Sequence, residues 1–348
     1  MKKFSRITKL AIARHILLSA IVLGLSSFAP ANDPTLNDLW SGRARFEVEP
    51  TVFGADFGLH FLSVVKDQEK TYAYYNVSVG DQISVGLATT LDGVLFRNHD
   101  RVLIRSQSGW DSRFAAFPSA VKVGENWFLT YEGAGDSPGD IGLATSSNGI
   151  EFSKHPTPIL VHAQRQPKDP TNLSLSWERN NIGTPSVYYQ DGQFFVFYHG
   201  YGKSSKSPLG TDPDDDPDDC QVGLAAGADL TKLKRIGNCP VVRTSKTGWD
   251  SGTIGKRSIL KQAGYYYMVF EGSTDQPYDK AKWSSGLARS KSISGPWEKF
   301  PHNPILPATD GGFGYDGPEF VQLEKTLYIY FRSPKGSTSR ALLVLNQR

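Results

Sequence analysis

In four segments that lead into a predicted hairpin, an aromatic residue stands directly before an acidic one, and this pairing could support chemistry on sugars. Two carboxyl groups placed across a glycosidic bond can protonate the leaving oxygen and either activate water or attack the sugar. Aromatic rings can stack on sugar faces. A pair that recurs can equally be structural, with the acid bonded to loop amides and the ring packed inside the fold. The four pairs are Trp110-Asp111, Trp177-Glu178, Trp249-Asp250 and Tyr315-Asp316.

A short phrase built around glycine, leucine and alanine recurs along the chain and indicates a repeat architecture. Before each copy, two apolar segments separated by turn residues predict a hairpin of two strands. After it, a further short strand leads to a corner rich in proline. Four antiparallel strands per unit are typical of a β-propeller blade. The copies are Val85–Thr89, Ile141–Thr145, Val222–Ala226 and Ser285–Arg289.

Five such hairpins can be counted, and the two chain ends complete the last unit. The fifth hairpin pairs Glu319–Leu323 with Leu327–Arg332, and one further strand, Ala341–Leu345, follows it. The segment Arg45–Val48 can supply the missing outer strand, because a closed ring leaves no long unpaired sheet edge. The sequence therefore predicts an all-β fold: a five-bladed β-propeller with four antiparallel strands per blade, closed by an N-terminal strand that joins the C-terminal blade.

This topology brings polar residues to one mouth of the propeller axis. The inner strand of a blade begins, and its hairpin partner ends, at the same rim. The aromatic–acid pairs therefore approach that rim, together with Asp56 in the first blade. Glu319 begins the inner strand of the last blade, and three polar residues end second strands. Those three residues are Glu132, His199 and Glu271.

Positions that depart from the repeat are better functional candidates than the repeated pairs. Glu319 stands where the other blades have serine, and His199 stands where neighbouring blades have glutamate. His199 also fits a histidine satisfied by its neighbours. Lys256 and Arg257 stand where other blades have phenylalanine or threonine followed by proline. These cations can pair with Asp250 or Glu319 as structure, or hold a uronate, sulfate or phosphate, because arginine matches such oxygens.

The first residues have the order of a secretory signal peptide, with basic residues, an apolar run and the small residues Ala29-Pro30-Ala31. We expect residues 1–31 to be removed and residues 32–348 to form one monomeric propeller domain, secreted or periplasmic and free of the membrane. An uncleaved anchor is the alternative. The chain has 38 Lys and Arg against 35 Asp and Glu, and the leader is basic. The mature chain is therefore slightly acidic, which argues against a nucleic-acid partner.

Two cysteines and one acidic segment complete the candidate sites. In an oxidising compartment, the pair Cys220 and Cys239 favours a disulfide between outer strands of the third blade, although two separate buried thiols remain an alternative. The acidic segment 212–219 could supply oxygen ligands to a structural Ca²⁺ ion. It lacks the glycine and glutamate of a helix–loop–helix calcium site, so a solvated loop is the favoured interpretation. We expect no cofactor and no metal.

The unit Ile141–Phe152, which ends in Pro158-Ile159-Leu160, resembles the blade repeat of the five-bladed propeller glycoside hydrolases. These include glycoside hydrolase families 32, 43, 68, 117 and 130, and the resemblance covers most of residues 45–346. Asp316-Gly317-Pro318 is similar to the Glu-Gly-Pro element that carries the general acid in family 43, with Asp in place of Glu. Thr184-Pro185 stands where that family has Asp before Pro. The chain therefore resembles a divergent member of this superfamily.

Residues and resemblance together predict an extracytoplasmic glycoside hydrolase that cleaves an oligo- or polysaccharide by carboxylate acid–base catalysis. The candidate proton donor is Asp316 or Glu319. The candidate base is Asp56 or Glu178, and Asp250 would tune its neighbours. The expected sugar-binding residues are Trp110, Asp111, Glu132, Trp177, His199, Trp249, Lys256, Arg257 and Glu271. Two alternatives stay open: a non-catalytic carbohydrate-binding propeller, and a phosphorylase that holds phosphate with Lys256, Arg257 and His199.

Overall fold

The repeat of the sequence forms five separate four-stranded sheets in a computed structural model of the chain. The structure describes residues 33–49, 58–80, 82–136, 138–163, 177–201, 220–237, 240–274, 281–308, 314–334 and 336–347. Pro34–Arg348 form one compact unit. The predicted leader, 1–31, lies outside the described residues and stays a prediction.

Each sheet is antiparallel and runs from an inner to an outer strand. A helix and a strand precede the first blade: α1 (Leu36–Trp40) and β1 (Ala44–Val48). The first blade contains β2 (His60–Asp67), β3 (Lys70–Val79), β4 (Gln82–Thr90) and β5 (Arg97–Leu103). The second contains β6 (Phe114–Val123), β7 (Asn126–Ala134), β8 (Asp140–Ser146) and β9 (Ser153–Lys154). The third contains β10 (Asn181–Gln190), β11 (Gln193–Tyr201), β12 (Gln221–Gly227), a 3-10 turn (Leu230–Lys232) and β13 (Lys234–Arg235). The fourth contains β14 (Thr253–Gln262), β15 (Tyr265–Ser273), β16 (Trp283–Ser290) and β17 (Glu298–Lys299). The fifth contains β18 (Asp316–Leu323), β19 (Thr326–Arg332) and β20 (Thr338–Leu345).

Both ends of the chain close the fifth blade, which confirms the predicted ring closure. The outer strand β1 pairs with β20, from Ala44 opposite Leu345 to Val48 opposite Ala341. The inner strands contact one another in the order β2, β6, β10, β14 and β18, and β18 contacts β2. This ring of contacts places the five inner strands around a common axis.

The sequence pattern does not predict the helix α1, because a helix of one turn shows no periodicity. Thr35 caps it, and Asp38 completes a capping box. Leu36 and Leu39 are buried in a core cluster with residues of the fourth and fifth blades. The Leu36 N–H also donates to Oε1 of Gln262 at 2.7 Å, which fastens the N-terminal segment to the fourth blade. In the described part of the chain, no helix is long and apolar enough to cross a membrane.

The glycine of the repeated phrase is required because aromatic rings lie directly on its backbone. In the second blade, the stacked rings of Trp110 and Tyr131 occupy the space that a Cβ of Gly142 would need. The corresponding Gly223 and Gly286 are covered by aromatic rings in the same way in the third and fourth blades. The repeat therefore encodes close packing of a tryptophan within its own blade.

Serine side chains link adjacent inner strands around the axis, just after a β-bulge that each inner strand contains. Ser63 accepts a hydrogen bond from the Ala120 N–H at 2.9 Å. Ser119 accepts one from the Val187 N–H, also at 2.9 Å. Ser258 serves in the same way between the fourth and fifth blades. These bonds join neighbouring blades and give buried amides a partner.

The predicted disulfide is not formed, and Cys220 carries a free, buried thiol. Cys220 lies beside Thr253 in an isolated bridge to the start of β14. Its thiol donates to the carbonyl oxygen of Ile254 at 3.5 Å. The side chain is therefore directed at the inner strand of the fourth blade, which explains why it makes no bridge across its own blade. The other cysteine, Cys239, lies outside the described residues.

Candidate active site at the propeller axis

Acceptor side chains at the ends of second strands bond to the bulge of the next inner strand. In the first blade, Oδ1 of Asn76 accepts from the Phe117 N–H at 2.7 Å. In the second, Oε2 of Glu132 accepts from the Thr184 N–H at 2.8 Å. Phe117 and Thr184 have φ angles of 52° and 42°, in the left-handed region. A Cβ at Gly183 would overlap the Glu132 carboxyl, so glycine lets this carboxyl approach the inner strand closely.

Glu271 makes two backbone bonds of this kind. Its Oε1 accepts from the Lys256 N–H of its own blade at 2.7 Å. Its Oε2 accepts from the Gly317 N–H of the fifth blade at 2.5 Å. A Cβ at Gly255 would overlap Oε1, so this glycine again makes room for a carboxyl. Glu271 therefore joins the fourth and fifth blades at the level of their bulges.

Asp316 lies near Glu271 and is held by an arginine that the sequence analysis misses. Nε of Arg332 donates to Oδ1 of Asp316 at 2.8 Å, and its Nη2 donates to Oδ2. Asp316 is the first residue of β18 and stands opposite Arg332. The tryptophan–acid pairs precede their inner strands, so Asp316 is not equivalent to them. Arg332 ends β19 much as Glu271 ends the corresponding part of β15, and that equivalence is the signal that could have identified it.

Burial raises the pKa of the three carboxyl groups near the bulges. The pKa of Glu132 is raised to about 8 because the group is removed from water, and its bonds to Thr184 oppose this effect only in part. The pKa of Glu271 is raised to about 7, first by burial and then by the charge of Asp316. Burial also raises the pKa of Asp316, against the effect of Arg332. A carboxyl that keeps its proton near neutral pH can serve as a general acid.

His199 and Arg257 depart from the bonding pattern of the other blades. Both ring nitrogens of His199 are buried without a hydrogen-bond partner among the described residues, and the ring edge contacts Tyr201. Arg257 is 0% exposed. Its Nε and Nη2 donate to the carbonyl oxygen of Gly255, whereas Nη1 has no partner in the described part of the chain. Burial, and then the charge of Arg257, lowers the pKa of His199 well below its usual value.

Glu319 and Lys256 are partners of each other. Oε1 of Glu319 accepts from the Val64 N–H at 3.2 Å, the role that serine fills in other blades. Its Oε2 accepts from Nζ of Lys256 at 2.6 Å, and both side chains are almost fully buried. Glu319 and Lys256, which both depart from the repeat, are therefore ion-pair partners. The bond of Glu319 to Val64 also links the last blade to the first.

The three tryptophan–acid pairs are bonded within their own blades. Each acid is nearly fully buried and forms an ion pair with a basic residue of its outer strand. These ion pairs are Asp111–Lys154 at 2.6 Å, Glu178–Arg235 at 2.5 Å and Asp250–Lys299. The rings pack on the second strands, as Trp110 on Tyr131, Trp177 on Tyr198 and Trp249 on Phe270. The geometry gives these residues partners inside the blade and does not join them to the carboxyls near the bulges.

The structure thus connects seven of the predicted site residues by hydrogen bonds or by mutual electrostatic effects. We call this set the axis cluster: Glu132, His199, Lys256, Arg257, Glu271, Asp316 and Glu319. Asp56 lies outside the described residues, as does the acidic segment 212–219. Among the residues that are described, no group of three or more histidine, cysteine or acidic side chains could hold a metal ion.

No protein-family model matches the chain. A solved structure described as a glycoside hydrolase is similar, with a TM-score of 0.68 at 17% identity over 90% of this chain and 95% of that one. An exo-1,5-α-L-arabinanase from a bovine ruminal metagenomic library gives 0.59 at 14% identity, over 84% and 95%. A structure from the GH130 family of mannoside phosphorylases gives 0.60 at 14% identity, over 84% and 85%. These likenesses confirm the fold that the repeat predicts, a five-bladed propeller of the kind found in glycoside hydrolases.

Proposed function

We propose that this chain is an extracytoplasmic glycoside hydrolase that cleaves an oligo- or polysaccharide with carboxyl groups of the axis cluster. The observation that carries the proposal is the placement of two buried carboxyls beside the inner strands: Glu271 accepts from the N–H of Gly317, the residue that follows Asp316. Paired carboxyls are what hydrolysis of a glycosidic bond requires. The shared fold with glycoside hydrolases supports a sugar as the substrate.

The surroundings of the two carboxyls suit opposite roles. Glu271 has a pKa of about 7, so it holds a proton that it can transfer to the leaving oxygen near neutral pH. The fork of Arg332 favours the ionised form of Asp316, which can then take a proton from water or attack the sugar. Environments that separate the behaviour of two acids commonly identify the donor and the base. Glu271 thereby replaces Asp316 and Glu319 as the proposed donor.

Other members of the axis cluster would bind the sugar. Glu132 has a pKa of about 8 and is therefore mostly protonated at neutral pH, so it can donate a hydrogen bond to a hydroxyl oxygen. The phosphorylase alternative needs several cations around one phosphate. The residues that would hold phosphate are Lys256, Arg257 and His199. Glu319 already binds the Nζ of Lys256, so Arg257 is the one cation of these three residues without a carboxylate hydrogen bond among the described residues. Hydrolysis is therefore the favoured reaction.

Kinetics on substrates with different leaving groups test these roles. Oligosaccharides would be compared with aryl glycosides, whose phenolate leaves without a proton. Glu271→Gln should lose activity on oligosaccharides and keep much of its activity on aryl glycosides. Only the oligosaccharide needs a proton donor for its leaving oxygen. Asp316→Asn should lose both activities. Glu125→Gln changes a side chain that is 96% exposed and serves as the matched control. Full activity of both axis variants on oligosaccharides would refute the proposal.

We also propose that the protein is exported and works as a monomer after removal of residues 1–31. N-terminal sequencing of protein recovered from the cell envelope or the medium, together with its mass in solution, tests both points. A mature chain that still begins at Met1 would contradict the first, and a stable dimer would contradict the second.

A further inference from the structure

The described residues give Arg257 no carboxylate hydrogen-bond partner, although its side chain is fully buried. Among the described residues, its guanidinium bonds only to the carbonyl oxygen of Gly255, and Nη1 has no partner there. The two neighbouring cations are matched, Lys256 by Glu319 and Arg332 by Asp316. A buried charge without a partner is strongly unfavourable. Glu132 and Glu271 act on this charge from nearby, but neither bonds to the guanidinium in the described residues, so the Nη1 donor is available to an anionic ligand.

His199 supplies the second half of this arrangement. Its ring is buried, and neither nitrogen has a partner among the described residues. His199 pairs with Gly183 of β10, and the hydroxyl of Ser186 on the same strand donates to the carbonyl oxygen of Arg257 at 2.5 Å, so that the charge of Arg257 acts on the ring. Because the ring is neutral, one nitrogen carries a donor hydrogen and the other accepts. The first, second and fourth blades place Asn76, Glu132 and Glu271 at this position, and each of these bonds to the next bulge. His199 makes no such bond to a bulge among the described residues, so both ring nitrogens are available to a ligand.

We propose that Arg257 and His199 form a subsite for the carboxylate of an acidic sugar, a uronate. This inference rests on the proposed function, which makes a sugar the substrate. The Nη1 donor of Arg257 and the donor nitrogen of His199, neither of which has a partner among the described residues, match the two oxygens of a planar carboxylate. The second nitrogen of His199 accepts from a hydroxyl of the same sugar.

Binding to the full mature chain tests the subsite without any need for turnover. Calorimetry and thermal melting would be run with D-glucuronate and D-galacturonate, with the neutral parent sugars D-glucose and D-galactose, and with inorganic phosphate. At least one uronate should bind roughly tenfold or more tightly than its neutral parent. Equal binding of the two would overturn the proposal. Tighter binding of phosphate than of either uronate would overturn it as well, because the subsite would then serve free phosphate.

Variants show whether these two side chains are responsible. His199→Gln and Arg257→Gln should each weaken uronate binding roughly 10- to 100-fold, and Arg257→Lys should restore only part of it because lysine lacks the fork. His155→Gln and Arg289→Gln, at residues outside the axis cluster, are the controls. If the Arg257 variants do not fold, His199→Gln and the wild-type comparison still decide. Unchanged uronate binding in folded His199→Gln refutes the subsite.

The same set of experiments separates this inference from the proposed function. Selective uronate binding without cleavage of any oligosaccharide would uphold the subsite and reject hydrolysis. Cleavage restricted to neutral oligosaccharides would uphold hydrolysis and reject the subsite.

Discussion

Buried acids occur in two regions of this propeller, and they are held in different ways. Inside the blades, Asp111, Glu178 and Asp250 each form an ion pair with a basic residue of their outer strand. Near the bulges, Glu132 and Glu271 accept backbone N–H bonds and have no ion pair in the described part of the chain.

This difference decides which acids are available for proton transfer. An ion pair ties a carboxyl to one basic partner, whose charge opposes the rise in pKa caused by burial, as Arg235 does for Glu178. For Glu132 and Glu271 the largest opposing effect comes from neutral backbone amides. The pKa of Glu271 is about 7 and that of Glu132 about 8. The recurring tryptophan–acid pairs therefore stabilise their blades, and the acids that bond to the bulges are the ones available for proton transfer.

The largest expected effect separates the two regions by activity. Glu271→Gln and Asp316→Asn should lower kcat on oligosaccharides roughly 10²- to 10⁴-fold, because each removes a group that exchanges a proton in the reaction. Glu178→Gln and Asp250→Asn should leave the kcat of the folded fraction within about threefold, the range of an indirect effect, since a positioned acid or base contributes far more. Steady-state kinetics on folded protein measures both. An equal loss in the two groups would remove the distinction.

The second effect concerns two glycines, one that lies against a carboxyl of the axis cluster and one that lies against aromatic rings inside a blade. Gly255→Ala would push a Cβ into the Glu271 carboxyl and should lower kcat roughly 10²-fold by displacing it. Gly142→Ala would push a Cβ into Trp110 and Tyr131 of one blade. It should lower the melting temperature and leave the kcat of the folded fraction unchanged. Kinetics and melting of both variants check this, and a loss of kcat in Gly142→Ala would contradict it.

The third effect is on stability alone. Asp250→Asn leaves the ammonium of Lys299 without its ion-pair partner and should cost on the order of 1–3 kcal/mol of unfolding free energy. Asp67→Asn breaks the more exposed pair with Lys122 and should cost about 1 kcal/mol or less. Urea denaturation compares the two. A smaller loss in Asp250→Asn than in Asp67→Asn would show that the blade pairs do not hold the fold.

The smallest effect is a dependence of stability on pH. Glu132 has a pKa of about 8 in the folded chain, above the ordinary glutamate value of 4.5, so the folded state binds more protons between these values. Its contribution is therefore full below about pH 4.5 and is lost as the pH rises toward 8. Glu132→Gln should flatten the decline in unfolding free energy over this window. An unchanged slope in the variant would contradict the raised pKa.

The fold could be predicted because its signals are local and repeated. The Gly142 phrase recurs since rings of Trp110 and Tyr131 press on the backbone there, and the same constraint returns in other blades. The pairing of β1 with the fifth blade could be predicted because the C-terminal segment supplies only three of that blade's four strands. The ring of inner strands likewise follows from the count of hairpins.

The site could be predicted only in part, because its contacts join residues that are distant along the chain. The pairing of Glu319 with Lys256 and the bond from Glu271 to Gly317 connect different blades. No local pattern distinguishes an acid that pairs within its blade, such as Glu178, from one that reaches the next blade. The free thiol of Cys220 belongs to the same class, since the direction of its side chain follows from the neighbouring inner strand.

The most direct test of the central claim is the titration of glutamate carboxyl carbons by NMR in ¹³C-labelled protein. One carboxyl signal should titrate near pH 7 and disappear in Glu271→Gln, and another should titrate near pH 8 and disappear in Glu132→Gln. Both should persist in Glu125→Gln. If the signals lost in the two axis variants titrate near pH 4.5 instead, the carboxyls beside the bulges are ordinary acids and the proposed chemistry is wrong.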